Sequence, residues 1–263
     1  MLRHERLSGV LDMLAANGSL SVEQLAESFD VSPATVRRDL DELAEQRLLS
    51  RTRGGAVLQS VAYELPLRYR SARQHDEKQR IAVQAASMVS AGAVVGFNGG
   101  TTTTAVAHEL AMRADLVAER GRDDFTFVVV TNAINIANAL VVRPQIKTVV
   151  PGGVARSRSY ELIGPLATRG LADLQMDVMF LGVDSLSRAQ GAAANHEGEA
   201  EVNRLMVEHA RQVVVVADAS KLERHAFCKI CDISSVHVLI TDTGADPTAL
   251  AELRALGITV EAV

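Results

Sequence analysis

The chain has 263 residues, 48% of them apolar and 22% charged, with a formal net charge of −5. That length holds about two domains of ~100–200 residues, each with apolar side chains enough for a core. No run of roughly 18 apolar residues, the length a membrane helix needs, occurs, and the charged start Met1-Leu2-Arg3-His4-Glu5-Arg6 lacks a following signal-peptide core. A membrane partner is therefore not expected, and a cytoplasmic location is. The two cysteines suit a reducing compartment. Only four lysines, Lys78, Lys147, Lys221 and Lys229, stand against 23 arginines.

Leu7, Val10, Leu11 and Leu14 recur at helical spacing and predict a first helix that Asn17-Gly18 ends. Ser21-Val22-Glu23-Gln24 has capping-box spacing and opens a short helix through Leu25 to Phe29. Asp30-Val31 is the turn. Ser32 then offers an N-cap with Pro33 at the first helical position, and Val36, Leu40 and Leu43 form the buried face of the next helix. Two helices joined by so short a turn make a helix-turn-helix, whose second helix presents its N-terminal residues to base edges in the major groove. Here those are Ser32, Pro33, Ala34, Thr35, Arg37 and Arg38. Arginine can grip a guanine edge with two hydrogen bonds, and a threonine or alanine methyl can touch thymine. Leu48 to Val57 reads as two short strands about Gly54-Gly55, a wing whose Arg51 and Arg53 can meet phosphates.

Residues 1–57 carry seven arginines against nine acids, so this domain is not basic overall. Arg37, Arg38, Arg47, Arg51 and Arg53 nevertheless fall within seventeen residues, which predicts one basic face. Residues 58–75, with Pro66 and no periodicity, read as a linker between a domain at 1–57 and another at 76–263.

In the second domain helices and strands alternate. Helices are predicted around 77–89, 102–113, 134–140, 162–174, 197–210 and 248–256, and strands at 93–97, 125–130, 146–150, 178–183, 213–217, 238–241 and 258–262. Near-continuous apolar strands separated by helices predict an α/β domain whose mostly parallel sheet is covered on both faces. Ligands then collect beyond the carboxyl ends of the strands. Asn98-Gly99-Gly100-Thr101-Thr102-Thr103 follows the first strand and enters a helix, where free N–H groups and hydroxyls suit a phosphate. Thr131-Asn132, Gly152-Gly153, Asp184 and Lys221 end later strands on the same rim. Together they offer amide and hydroxyl donors, a carboxylate for sugar hydroxyls and an ammonium, a pocket for a small phosphorylated polyol.

With these residues in hand, the chain resembles the DeoR family of bacterial transcription regulators. Ser32-Pro33-Ala34-Thr35-Val36-Arg37-Arg38-Asp39-Leu40 and Arg53-Gly54-Gly55-Ala56 look like its recognition-helix and wing signatures. Glu77-Lys78, Gly100-Thr101-Thr102, Thr131-Asn132, Gly152-Gly153, Asp177 to Gly182 and Ser220-Lys221 look like its effector-domain signatures, in the expected order. The resemblance implies a winged helix-turn-helix fused to a sensor domain related in fold to ribose-5-phosphate isomerase and glucosamine-6-phosphate deaminase. It also implies double-stranded operator DNA and a phosphorylated sugar as partners, a repressor released by that sugar, a homo-oligomer (dimer or tetramer) and no cofactor. By matching position Gly100 to Thr103 would hold phosphate, Asp184 would face the sugar and Lys221 would add charge; Lys78 is a weaker match. Two departures stand out: Asn98-Gly99 replaces the usual Asp-Ser, and Arg53 replaces a common histidine.

Two other readings remain open. The related fold supports isomerases, and Asp184, Glu197, Glu199 and Lys221 are candidate proton-transfer groups, although the strand end at Gly182 to Ser187 carries one acid alone. His225, Cys228, Cys231 and His237 approximate a metal site, which would make a metal-responsive regulator.

Overall fold

The computed structural model describes residues 3–46, 48–57, 74–113 and 125–263, in two compact units, Met1–Arg73 and Gln74–Val263. The expected linker falls almost wholly on residues 58–73 and, like Arg47, lies outside the described residues. None of the described helices is long and apolar enough to cross a membrane.

The first unit runs α1 (Arg3–Asn17), β1 (Ser19–Ser21), α2 (Val22–Phe29), α3 (Pro33–Glu45), β2 (Ser50–Thr52) and β3 (Gly55–Val57). Leu7, Val10, Leu11 and Leu14 of α1 meet Leu25 of α2 and Val36, Leu40 and Leu43 of α3 in one buried cluster. Each such aliphatic side chain contributes about 1.5–3 kcal/mol when fully buried. The capping box forms as its spacing predicts: Ser21 Oγ accepts from Gln24 N at 3.1 Å and Gln24 Oε1 from Ser21 N at 2.9 Å. Strand β1, which the sequence reading does not contain, completes the wing as a third strand in the order β1-β3-β2. Gly55 is obligatory there, because a Cβ would stand 2.1 Å from the Leu20 carbonyl oxygen.

The second unit begins with α4 (His75–Ser87), β4 (Val94–Phe97), α5 (Thr101–Ala111), β5 (Phe127–Thr131), α6 (Ile134–Leu140) and β6 (Ile146–Val149). It continues with β7 (Val154–Ala155), β8 (Leu162–Ile163), α7 (Pro165–Leu171), β9 (Met176–Leu181), β10 (Ser185–Ser187), β11 (Gly191–Ala194) and α8 (Glu197–Glu208). β12 (Ala210–Val216), β13 (Cys228–Cys231), β14 (Val238–Thr241), α9 (Pro247–Ala255) and β15 (Thr259–Ala262) end it. Seven strands form one parallel sheet in the order β15-β14-β12-β9-β4-β5-β6. One face packs Ile81, Val106, Leu110 and Ile136 of α4 to α6 against Phe97 and Phe180, whose rings stack with centroids 5.4 Å apart. The other packs Leu171, Val202, Met206, Leu250 and Leu253 of α7 to α9. The α/β architecture is thus as expected.

Three segments differ from the sequence reading. The helix expected from Leu162 to Leu174 is the two-residue strand β8 followed by α7, because Gly164, at φ 85°, and Pro165 restart the chain as a helix. β8 pairs with β7 as a hairpin. β10, β11 and β13 form a second, antiparallel sheet, whose strands of three or four residues are too short to announce themselves by alternation.

This strand order fixes the place for chemistry. From β4 the chain moves one way to β5 and β6, then crosses back to β9 on the other side of β4. Loops leaving β4 and β9 therefore diverge, and the crevice between them is the topological switch point where open α/β sheets bind ligands.

Candidate functional sites

In the first unit most of the residues expected to read DNA are exposed. Ser32 Oγ caps α3 by accepting from Thr35 N at 3.2 Å, and Ser32, Pro33, Ala34, Arg37 and Arg38 are exposed while Val36, Asp39 and Leu40 turn inward. In the wing Arg53 is exposed, and Arg51 lies 3.3 Å from Asp41 on α3. The orientation of α3 depends on a pair that the sequence reading missed. Arg6 of α1 donates to both oxygens of buried Asp39, at 2.6 and 3.2 Å. An acid among Val36, Leu40 and Leu43 was its available signal, since a carboxylate on an apolar face needs a buried cation.

In the second unit the switch-point crevice is built by the loop after β4. Asn98 is buried and spends its amide across the crevice: Nδ2 donates to Gly182 O at 2.9 Å and Oδ1 accepts from Gly182 N at 2.8 Å. An aspartate in that place could accept but not donate, so the departure at 98 gains the bond to the Gly182 carbonyl. Gly100 lies at φ 151° before α5, whose start has no side-chain cap. The hydroxyls of Thr103 and Thr104 donate to Gly100 O at 3.2 and 2.6 Å. Thr101 is half-buried, whereas Thr102 and Thr103 are buried.

Several other expected ligand residues perform local work. Thr131 Oγ1 accepts from Ala133 N at 3.0 Å, and fully buried Asn132 has its amide 3.4 Å from Leu162 O with Oδ1 unpartnered. Gly153, at φ 126°, lets the backbone pass β8, since a Cβ would stand 2.9 Å from Ile163 O; Gly152, at φ 83°, has open space. Asp184 Oδ2 accepts from Asn195 N at 2.9 Å. Lys221 follows β12 on the same rim, and its ammonium has no hydrogen bond or ion pair among the described residues. Lys78 is buried in α4.

The most unusual group in the crevice, Glu161, was not among the expected residues. It immediately precedes β8 and bridges to Ala133, and the β7–β8 hairpin is clipped to the end of β5 by a bond from Leu162 N to Asn132 O at 2.7 Å. Its Oε1 accepts from Gly99 N and its Oε2 is buried without a partner. Burial pushes its pKa well above the ordinary carboxylate value, and the negative charges of Glu199 and Asp184 add to this, against the Gly99 N–H and the Asn203 amide. Gly99 is explained by the same contact, because a Cβ there would lie 2.5 Å from Glu161 Cγ. Glu199, in the first turn of α8, is itself held by Arg156 at 2.7 Å. Three carboxyl groups therefore converge where the strand-end sequence had offered one.

The cysteine reading finds no metal site among the described residues. Cys228 and Cys231 pair with Ala194 and Ala192 across a bulge and so share a face of β13, but burial pushes the Cys231 thiol up to about 11. His237 Nδ1 accepts from Val213 N at 3.1 Å. Among the described residues no three potential ligands stand together as a metal cluster.

A winged DNA reader followed by an α/β domain with a crevice at its switch point defines a ligand-responsive regulator, and comparison with known proteins agrees. The family model for the DeoR-like helix-turn-helix domain matches residues 6–61, and that for the DeoR C-terminal sensor domain matches residues 73–243. The chain is 34% identical over 242 residues to the glycerol-3-phosphate regulon repressor of Escherichia coli K12, covering 92% of each. It is 33% identical over 261 residues to the HTH-type transcriptional regulator GlpR of Haloferax volcanii, covering 99% of this chain and 98% of that one. Among solved structures, ribose 5-phosphate isomerase A from Methanocaldococcus jannaschii is 20% identical at a TM-score of 0.41, covering 56% of this chain and 54% of that one. The chain belongs to the DeoR family of DNA-binding transcription regulators.

Proposed function

We propose that the protein is a repressor that binds operator DNA through α3 and the wing and releases it when the sensor domain takes up a phosphorylated polyol. The observation that carries this reading is the uncapped, glycine-led start of α5 at the switch point, whose first-turn N–H groups and threonines suit a phosphate. Lys221, unpaired among the described residues and on the same rim, supplies positive charge, while Asp184 and its neighbours supply acceptors for hydroxyls. One relative supports the same chemistry by its name, the glycerol-3-phosphate regulon repressor. Release follows from linkage: the ester must favour an arrangement of sensor domains in a homo-oligomer that holds the DNA readers out of register with the operator. A tenfold loss of DNA affinity needs about 1.4 kcal/mol of coupling, within the usual ~1–3 kcal/mol.

Turnover of the ligand forms no part of this reading. Glu161 and Glu199 are held by the Gly99 N–H and by Arg156, so neither stands as an exposed base. Thermal-shift titration against phosphate esters and their unphosphorylated parents tests the proposal. A saturable shift with an ester alone, lost in Lys221→Ala, supports it; no shift with any ester overturns it, and isomer interconversion by the protein would restore the enzymatic reading.

A further inference from the structure

Glu161 is a buried carboxyl group with half of its hydrogen-bonding capacity unused, at the point where the loops after β4 and β9 part. One oxygen is engaged by Gly99 N, in the glycine-led loop before α5, while the other makes no hydrogen bond. Leaving a buried polar atom unpaired is costly, and native structures keep few such groups, often at functional sites. Two other unpartnered acceptors lie on neighbouring elements: Asn132 Oδ1 at the end of β5, next to the hairpin that carries Glu161, and Asn203 Oδ1 on α8, one turn after Glu199. The Asn203 amide stands close enough to the Glu161 carboxyl to favour its charged form, but outside hydrogen-bond geometry. An array of acceptors lacking donors is complementary to a hydroxylated molecule, since each hydroxyl brings one O–H donor and two acceptor lone pairs.

The same surroundings disfavour a second anionic group. Glu199 and Asp184 both place negative charge against Glu161, and Arg156 is committed to Glu199. A phosphate fits at the start of α5, but a carboxylate at the other end of the ligand would meet these acids.

We propose that Glu161 reads the hydroxylated end of the effector, its Oε2 exchanging a hydrogen bond with a ligand hydroxyl while Oε1 keeps the Gly99 N–H. This rests on the proposed sensing of a phosphorylated polyol and adds which residue selects the ligand. The raised pKa of Glu161 keeps it neutral above the ordinary carboxylate range, so the group can donate to a ligand oxygen as well as accept. A glutamine, neutral and of the same shape, is therefore expected to replace it.

The test is calorimetric binding of glycerol 3-phosphate and of n-propyl phosphate, which share the phosphate and differ in hydroxyls, to the full chain. Wild type should prefer the polyol ester by about tenfold or more, the equivalent of one well-made hydrogen bond. Glu161→Gln should keep that preference within about threefold, and Glu161→Leu should abolish it, bringing the two esters to about equal affinity. Should the leucine variant fail to fold, Glu161→Asp, whose carboxyl group is withdrawn by one methylene, should also lose the preference. Equal binding of the two esters by wild type overturns this inference and leaves the sensing proposal standing; binding of neither overturns this inference, and the sensing proposal falls with it when no other phosphate ester shifts the protein. Persistence of the preference in the leucine or aspartate variant, or its loss in the glutamine variant, would likewise overturn the role given to Glu161.

Discussion

Replacing Asp39 with alanine should unfold the DNA-reading unit and spare the sensor domain. Asp39 keeps only 3% of its side-chain surface exposed and Arg6 12%, and two hydrogen bonds join them between α3 and α1. Removing one partner strands the other charge in a largely buried position, at a cost of about 3–5 kcal/mol. Domains of this size are stable by about 0.05–0.15 kcal/mol per residue, or roughly 3–9 kcal/mol for residues 1–57, so the loss is comparable with the whole. At ~4–8 °C per kcal/mol the transition of this unit should fall by at least about 12 °C. Differential scanning calorimetry of the full chain reads the change, with the sensor transition as internal control. The double exchange Arg6→Met with Asp39→Leu should regain most of the loss, because an apolar pair carries no desolvation penalty. A fall in Asp39→Ala of less than about 4 °C would equate the pair with a surface ion pair of ~1 kcal/mol and refute the argument.

Other outcomes follow from the same structure. Arg37→Ala should cost about 1–3 kcal/mol of specific DNA affinity and relax base preference at one position, whereas Arg53→Ala should weaken binding to all sequences and lower the salt slope by about 1; anisotropy titrations at several salt concentrations separate the two. Gly99→Ala should displace Glu161, since the new methyl group would stand 2.5 Å from its Cγ; this should lower the sensor melting temperature and weaken ester binding in one experiment. The raised pKa of Glu161 also sets a pH dependence. The unfolded chain loses this proton near the ordinary value of 4.5 while the folded chain retains it, so the stabilisation is complete below that pH and is lost as pH rises towards the folded value. Wild-type sensor stability should therefore fall with rising pH across that window relative to Glu161→Gln, and parallel curves would contradict the assignment.

What the sequence made legible was local. The capping box at Ser21, the Ser32-Pro33 start of α3 and the apolar runs of β4, β9 and β12 each depend on residues within a few positions, and each formed where expected. The rim of strand-end loops was equally readable, because a parallel sheet fixes which ends share a side. Contacts distant in sequence were not readable. Glu161 meets Gly99 across 62 positions from just before a stretch that reads as a helix, and no periodic signal marks such a meeting. The departure at Asn98-Gly99 was visible as an oddity, but its reason lay in Gly182 and Glu161, residues that only the fold brings near.

The account stands most directly on release of DNA by the ester. Full-length protein bound to an operator duplex selected from a random pool should be titrated with glycerol 3-phosphate and, separately, with glycerol, with fluorescence anisotropy as the readout. The account predicts that DNA affinity falls by about tenfold or more with the ester, equivalent to about 1.4 kcal/mol of coupling, that glycerol has no effect, and that Lys221→Ala binds DNA normally without being released. Unchanged DNA affinity at an ester concentration that saturates the thermal shift would contradict it.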